Sequence, residues 1–161
     1  AMPKGALVLD LGSGPGHCAA RMAAAGLRTD ATDAAPEMVR LAQDQPGVSA
    51  WKASFDDLDA TATYHGIWAS FSLLHARKSA FAGHLSRIHR ALGPDGLLCI
   101  TMKLGSGEDR DSLGRFYAYY SDSELDRYLG GAGFSITGRT HGNATGMAGV
   151  TAPHVIINAR A

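Results

Sequence analysis

Val8-Leu9-Asp10-Leu11-Gly12-Ser13-Gly14-Pro15-Gly16 decides how the rest of this chain is read. The apolar run Ala6 to Leu9 has the length and composition of a strand. Glycines follow at alternate positions 12, 14 and 16, and the segment behind them, Cys18 to Ala25, is rich in helix-forming alanine. Strand, glycine turn and helix let a backbone come close to a nucleotide. Glycine permits the tight turn, and the N–H groups that open the helix carry partial positive charge. The spacing then narrows the ligand. A dinucleotide fingerprint, G-x-G-x-x-G, needs glycine at position 17, where this chain has His17.

The order here is D-x-G-x-G-x-G, with Asp10 closing the strand and Pro15 inside the turn. It resembles the first motif of class I S-adenosylmethionine-dependent methyltransferases. The resemblance implies that Asp10, Gly12, Ser13, Gly14 and Gly16 carry the methionine end of that cofactor, whose product is S-adenosylhomocysteine. Two other readings compete with it: a cofactor-binding or interaction module without turnover, and a nicotinamide-dependent oxidoreductase.

Moving outward, Gly26 is a natural helix stop, and Leu27 to Thr32 reads as a second strand ending in Asp33. A carboxylate at that tip can accept two hydrogen bonds from a ribose diol, so Asp33 supports an adenosine ligand without choosing the cofactor. Pro36 opens a helix with Met38, Val39, Leu41 and Ala42 on its apolar side. Ala34 and Met38 join the cofactor side on the strength of the resemblance. Where the family often has a capping serine, this chain has Ala35. After the Gln45-Pro46-Gly47 break, Val48 to Ala53 reads as a third strand. The family commonly meets the adenine amino group with an acid in the turn that follows; here Ser54 takes that place beside Phe55, with Asp56 or Asp57 as substitutes.

Tyr64 to Ser70 reads as the fourth strand, and Phe71-Ser72-Leu73-Leu74-His75 echoes the family's Leu-His ending. The resemblance implies that Ser70 and Phe71 pass beneath the methionine portion. His75 follows the strand on the side where open α/β sheets bind ligands, so it is a candidate general base or substrate contact, with helix capping or packing as the bland alternative. From Ser79 to Leu92 a helix places Phe81, Leu85, Ile88 and Leu92 on one face, with His84, Arg87 and Arg90 on a solvated one. Gly93-Pro94-Asp95-Gly96 turns into a fifth strand, Leu97 to Met102, with Cys99 expected as an inert core thiol.

Lys103 to Tyr120 is a long, glycine-rich connection of the kind that forms lids and binding loops. Related methyltransferases build their acceptor pocket there. Arg115 is expected to pair with an anionic acceptor, Lys103 to assist, and Tyr117 to serve with His75 as a candidate base. Ser121-Asp122-Ser123-Glu124 is a capping box that opens a helix with Leu125, Tyr128, Leu129 and Ala132 buried. Phe134 to Thr140 reads as a sixth strand, His141 to Thr151 as an unpatterned loop, and His154 to Ala161 as the last strand.

Alternating strands and helices closed by a helix-less strand pair predict an α/β, doubly wound, mostly parallel seven-stranded sheet with one antiparallel strand. With 161 residues, one domain over 1–161 is expected. It is expected to lack the N-terminal cap helices usual in the family, and Ala1-Met2 reads as a tag scar. Fifteen basic residues balance fifteen acidic ones, which argues against a general nucleic-acid or membrane binder. No apolar run approaches the roughly 20 residues of a membrane span. Cys18 and Cys99 lie far apart with no metal spacing, so a reduced, cytoplasmic protein without a metal is expected, as monomer or homodimer. No G-x-S-x-G elbow occurs. The sum predicts a methyltransferase acting on a small-molecule acceptor.

Overall fold

The computed structural model describes residues 2–161, so Ala1 of the expected scar lies outside the described residues. The opening apolar run forms β1 (Leu7–Leu11), which continues one residue past Asp10. Alternation follows: α1 (His17–Ala24), β2 (Arg28–Asp33), α2 (Pro36–Gln43), β3 (Val48–Lys52), β4 (Tyr64–Ser70), α3 (Lys78–Ala91) and β5 (Leu92–Lys103). Then come β6 (Glu108–Arg110), β7 (Phe116–Ala118), α4 (Asp122–Gly131), β8 (Ser135–Thr145) and β9 (Thr151–Arg160).

Seven strands form one sheet in the order β3-β2-β1-β4-β5-β9-β8. Strands β1 to β5 pair in parallel, while β9 runs antiparallel between β5 and β8. This is the expected sheet. Strand β1 is apolar on both faces, and its Val8, Leu9 and Leu11 are all buried. The order reverses at β1, which pairs with β2 on one side and β4 on the other. Such a reversal opens a crevice beyond the C-terminal ends of the strands, and there Gly12, Asp33 and Phe71 emerge.

Helix α3 buries Phe81, Leu85 and Ile88, and α4 buries Leu125 and Leu129 against the same core. Each such side chain contributes about 1.5–3 kcal/mol through burial. The capping box holds α4 as expected, with Glu124 N donating to Ser121 Oγ at 3.2 Å and Ser121 N to Glu124 Oε2 at 2.8 Å.

Four local expectations change. His84 belongs to the buried stripe of α3, three residues after Phe81, and its Nε2 meets Asp56 Oδ1 at 3.2 Å. The Gly93–Gly96 turn is a bulge inside β5, where the register moves from Tyr64↔Leu92 to Gly66↔Leu97. The loop of 141–151 is mostly strand: β8 runs to Thr145 and β9 starts at Thr151, so glycine richness marks a hairpin rather than a coil. Cys99 is half-buried on an open sheet face rather than enclosed, and burial still pushes its thiol up to about 11. Among the described residues, no helix is long and apolar enough to cross a membrane.

Candidate active site

The glycine loop is shaped by backbone demands. Gly12, Gly14 and Gly16 have φ of 73°, 53° and 81°, the left-handed region that a side chain disfavours. Two of them are also closely packed: a Cβ on Gly12 would stand 2.5 Å from Ser72 Cβ, and one on Gly16 would stand 2.9 Å from Ala42 Cα. Gly14 differs, because a Cβ there would meet nothing within 4 Å. Gly12 N and Ser13 N both donate to Thr32 O at 2.8 Å, which pins the loop to the end of β2.

Asp33 completes that pinning. Its Oδ2 accepts Gly14 N–H and its Oδ1 accepts Ala35 N–H, each at 2.9 Å. A carboxylate has about four acceptor positions, so two remain for a ligand. Ala34 is exposed beside it, and Met38 is half-buried in the first turn of α2.

Asp10 lies beneath the loop at 3 % exposure, and its Oδ2 has no partner. Burial raises its pKa from the ordinary 3.8 to about 6; the Ala19 amide opposes the rise and the charge of Asp33 adds to it. No Lys or Arg lies between Asp10 and His17. Two acids flanking a loop without cations make a site for a positively charged ligand, and a poor one for a pyrophosphate. Ser72 Oγ is a second orphan, 5 % exposed and aimed at Gly12. Nothing in its own stretch of sequence singles it out, because its burial depends on tertiary packing. The unpartnered Asp10 and Ser72 atoms and the open cradle at Gly14 fit a cationic nucleoside such as S-adenosylmethionine.

A raised acid pKa has a defined consequence for stability. Between about pH 4 and pH 6 the native state holds a proton that the unfolded state has lost, so stability falls as pH rises through that window. From this group alone the fall is at most about 3 kcal/mol. Asp10→Asn is expected to remove that slope, read from denaturant unfolding at pH 4.5 and 7. Identical slopes in the two proteins would show that Asp10 does not titrate there.

On the adenine side the candidate acids each use one oxygen in a local bond. Ser54 N and Oγ both donate to Asp57 Oδ2 at 2.8 Å, capping the short turn Phe55–Asp57, while Asp56 is held by His84. Phe55 packs under the loop, within 3.4 Å of the point where a Gly12 Cβ would stand, and edge-on to His84 at 5.4 Å.

Beyond β4 the chain is strained. Phe71 has φ 51°, unusual for a bulky residue, and its N–H donates to Thr101 O at 3.0 Å. Ser70 Oγ bonds Thr101 Oγ1 at 3.3 Å. The strained turn sends Ser72 toward the glycine loop and Phe71 into a cavity of about 280 Å³. His75, Lys103, Arg115 and Tyr117 line this cavity with the hairpin tip Ala144–Met147. All four acceptor-side residues expected from sequence therefore meet in one place. A hollow of about 370 Å³ lies at the opposite end of the sheet, near Tyr64 and His65, away from these groups.

Their states differ from one another. His75 Nδ1 lies 2.8 Å from Phe116 O; a carbonyl only accepts, so Nδ1 carries the proton and Nε2 is the open acceptor of the neutral ring. Burial raises the Tyr117 phenol, which makes it a donor rather than a base near neutral pH. Arg115 donates to Asp111 Oδ2 at 2.6 and 2.8 Å, so its charge is already compensated. Lys103 Nζ sits 4.1 Å from the centre of the Tyr117 ring. The long connection that carries these groups is an ordered ribbon, β6 paired with β7, rather than a loop throughout. The tip of the β8–β9 hairpin was not foreseen as a cavity wall.

The fold is that of methyltransferases. The structure superposes on a methyltransferase from Methanosarcina mazei described as S-adenosylmethionine-dependent, with TM-score 0.87 and 16% identity over 99% of this chain and 93% of that one. It also superposes on the Burkholderia thailandensis 1,6-didemethyltoxoflavin-N1-methyltransferase, solved with 1,6-didemethyltoxoflavin and S-adenosylhomocysteine. There the TM-score is 0.81 and the identity 28%, over 98% and 71% of the two chains. A [4+2]-cyclase, SpnF, is similar at TM-score 0.79 and 20% identity over 99% and 75%, so the fold alone does not name a reaction. No curated protein sequence matches the chain. The family described as "Methyltransferase domain" matches residues 8–96. The chain belongs to that family, and it is an S-adenosylmethionine-dependent methyltransferase.

Proposed function

We propose that this enzyme methylates a small molecule bound in the cavity between Phe71, His75, Lys103 and Tyr117. The observation that carries this reading is the seam at Phe71–Ser72, where one residue faces the cavity and the next abuts the glycine loop. A donor on the loop and an acceptor in the cavity are then neighbours. Gly12, Ser13, Gly14 and Gly16 cradle the donor, with Asp10 supplying negative charge and Asp33 accepting from its ribose hydroxyls. Ala34, Met38, Ser54 and Phe55 border its adenine side, and Ser70 and Phe71 underlie its methionine end.

The sulfonium supplies a methyl group that is already electrophilic, and it departs as a neutral thioether. What remains for the protein is placement: an acceptor lone pair in line with the methyl at about 3 Å, in a site that excludes water. An acceptor O–H or N–H gives its proton to His75 Nε2, while the Tyr117 phenol, held protonated, orients it. The cavity suits a compact acceptor, and the Burkholderia neighbour, named for a small-molecule acceptor, supports that size class.

Methyl transfer from labelled donor into the small-molecule fraction of a cell extract, above a heat-killed control, tests the reading. Label found only in macromolecules would refute it. Asp33→Ala is expected to weaken S-adenosylhomocysteine binding by about 1–3 kcal/mol in calorimetry, since it removes an ionised acceptor. Unchanged affinity would exclude Asp33 as the ribose ligand.

A further inference from the structure

The acceptor cavity has an electrostatic asymmetry that its fold role does not explain. Among the described residues no carboxylate lines it, yet two cations do. Arg115 is neutralised by Asp111, which also accepts the Leu113 and Arg115 backbone amides, so that pair builds the turn of the β6–β7 ribbon. Lys103 has no such role. Among the described residues its ammonium makes no hydrogen bond and no ion pair, although the residue is half-buried at the end of β5. It rests on the face of Tyr117, and a Cβ on Gly146 would stand 3.6 Å from Nζ. A partly desolvated ammonium held over a ring is stabilised by an incoming anion.

The rest of the wall is mostly aromatic or apolar: Phe71, His75 and Tyr117, with Ala144, Gly146 and Met147 of the hairpin tip, and Thr145 as a polar member. Met147 is 85% exposed and Val150 is 64% exposed, so the hairpin tip holds apolar groups in water at the rim of the cavity. Methionine is the adaptable side chain for such a position. The tip is closed by Gly146 N to Val150 O at 3.0 Å and joined to the sheet through β8 and β9.

We propose that the acceptor is a one- or two-ring aromatic anion whose carboxylate is gripped by Lys103 and covered by Met147 of the β8–β9 hairpin tip. The inference rests on the acceptor-cavity reading above. A volume of about 280 Å³ lies at the small end of ligand pockets, which limits the acceptor to that size.

The test uses 2-hydroxybenzoate and 2-hydroxybenzamide, equal in shape and different in charge, titrated by ligand-observed NMR into the full chain saturated with S-adenosylhomocysteine. The acid is expected to bind at least about tenfold tighter than the amide. Lys103→Met is expected to erase that preference, and Lys103→Arg to keep it. Met147→Asp, at an exposed tip remote from the core, is expected to weaken both probes and the acid more than the amide, because it adds a repelling charge to the loss of apolar cover. Equal binding of the two probes, no binding of the acid at millimolar concentration, or a preference that survives Lys103→Met would overturn the proposal. Calorimetry of S-adenosylhomocysteine on the same sample reports the donor site separately, so its failure is distinguishable from failure of the acceptor assignment.

Discussion

Replacing Gly14 with alanine is expected to weaken S-adenosylhomocysteine binding by at least about a hundredfold while leaving the fold standing. The argument rests on what a methyl group would meet at each glycine of the loop. At Gly14 it meets no protein atom within 4 Å, and φ of 53° costs an L-residue about 1 kcal/mol. For a chain of this length that lowers the melting temperature by only about 2–4 °C. Gly14 N donates to Asp33, the proposed ribose ligand, so on the proposed reading the open space beside Gly14 is where the donor lies. Gly12→Ala behaves differently: its methyl would press on Ser72 Cβ at 2.5 Å, and overpacking of that kind costs about 1–3 kcal/mol beyond the backbone strain. Gly12→Ala therefore loses stability together with binding, and Gly14→Ala loses binding alone. Calorimetry and thermal melts on both variants separate the two. Wild-type affinity in Gly14→Ala would remove the loop from the donor site.

The glycine loop was legible because its conformation is a local demand. Three residues at positive φ leave a mark on the sequence that no neighbour can disguise. The same holds for Pro36 at the start of α2, for the Ser121–Glu124 box, and for the alternation that gives a parallel sheet. Legibility fails where a structure depends on residues distant in the chain. Helix α3 has no side-chain cap of its own; Glu108 of β6 supplies one, accepting Lys78 N–H at 2.7 Å across thirty positions. That contact and the Arg115–Asp111 pair turn the Lys103–Tyr120 connection into an ordered ribbon. Composition, rich in glycine and charge, describes such a segment as a loop.

The site divides along the same line. Sequence brought the acceptor-side residues His75, Lys103, Arg115 and Tyr117 to notice, and they line one cavity. Their charge states depend on partners: Arg115 carries a compensated charge and Lys103 an uncompensated one, the reverse of the ranking that residue type alone suggests. On the donor side, the candidate adenine acids Asp57 and Asp56 each bond a neighbour through one oxygen, Ser54 and His84 respectively, while Ser72, which its motif did not single out, places an unpartnered hydroxyl against the loop. A buried orphan polar atom is visible only once the chain has closed around it.

His75→Gln is expected to lower kcat by about 10²–10⁴ while leaving S-adenosylhomocysteine affinity and thermal stability unchanged. Glutamine retains an amide N–H that can donate to Phe116 O, so the ribbon keeps its anchor to the turn after β4, and the acceptor nitrogen is what disappears. The split between kcat and KM distinguishes a base from a positioning residue. Loss of the proton acceptor in His75→Gln should lower kcat and leave KM little changed. Tyr117→Phe is the control: with its phenol held protonated by burial, its loss changes the orientation of the acceptor and should raise KM more than it lowers kcat. A His75→Gln enzyme with undiminished kcat would mean that the acceptor arrives already deprotonated, and His75 would then be only the clasp between the Leu73–His75 turn and β7.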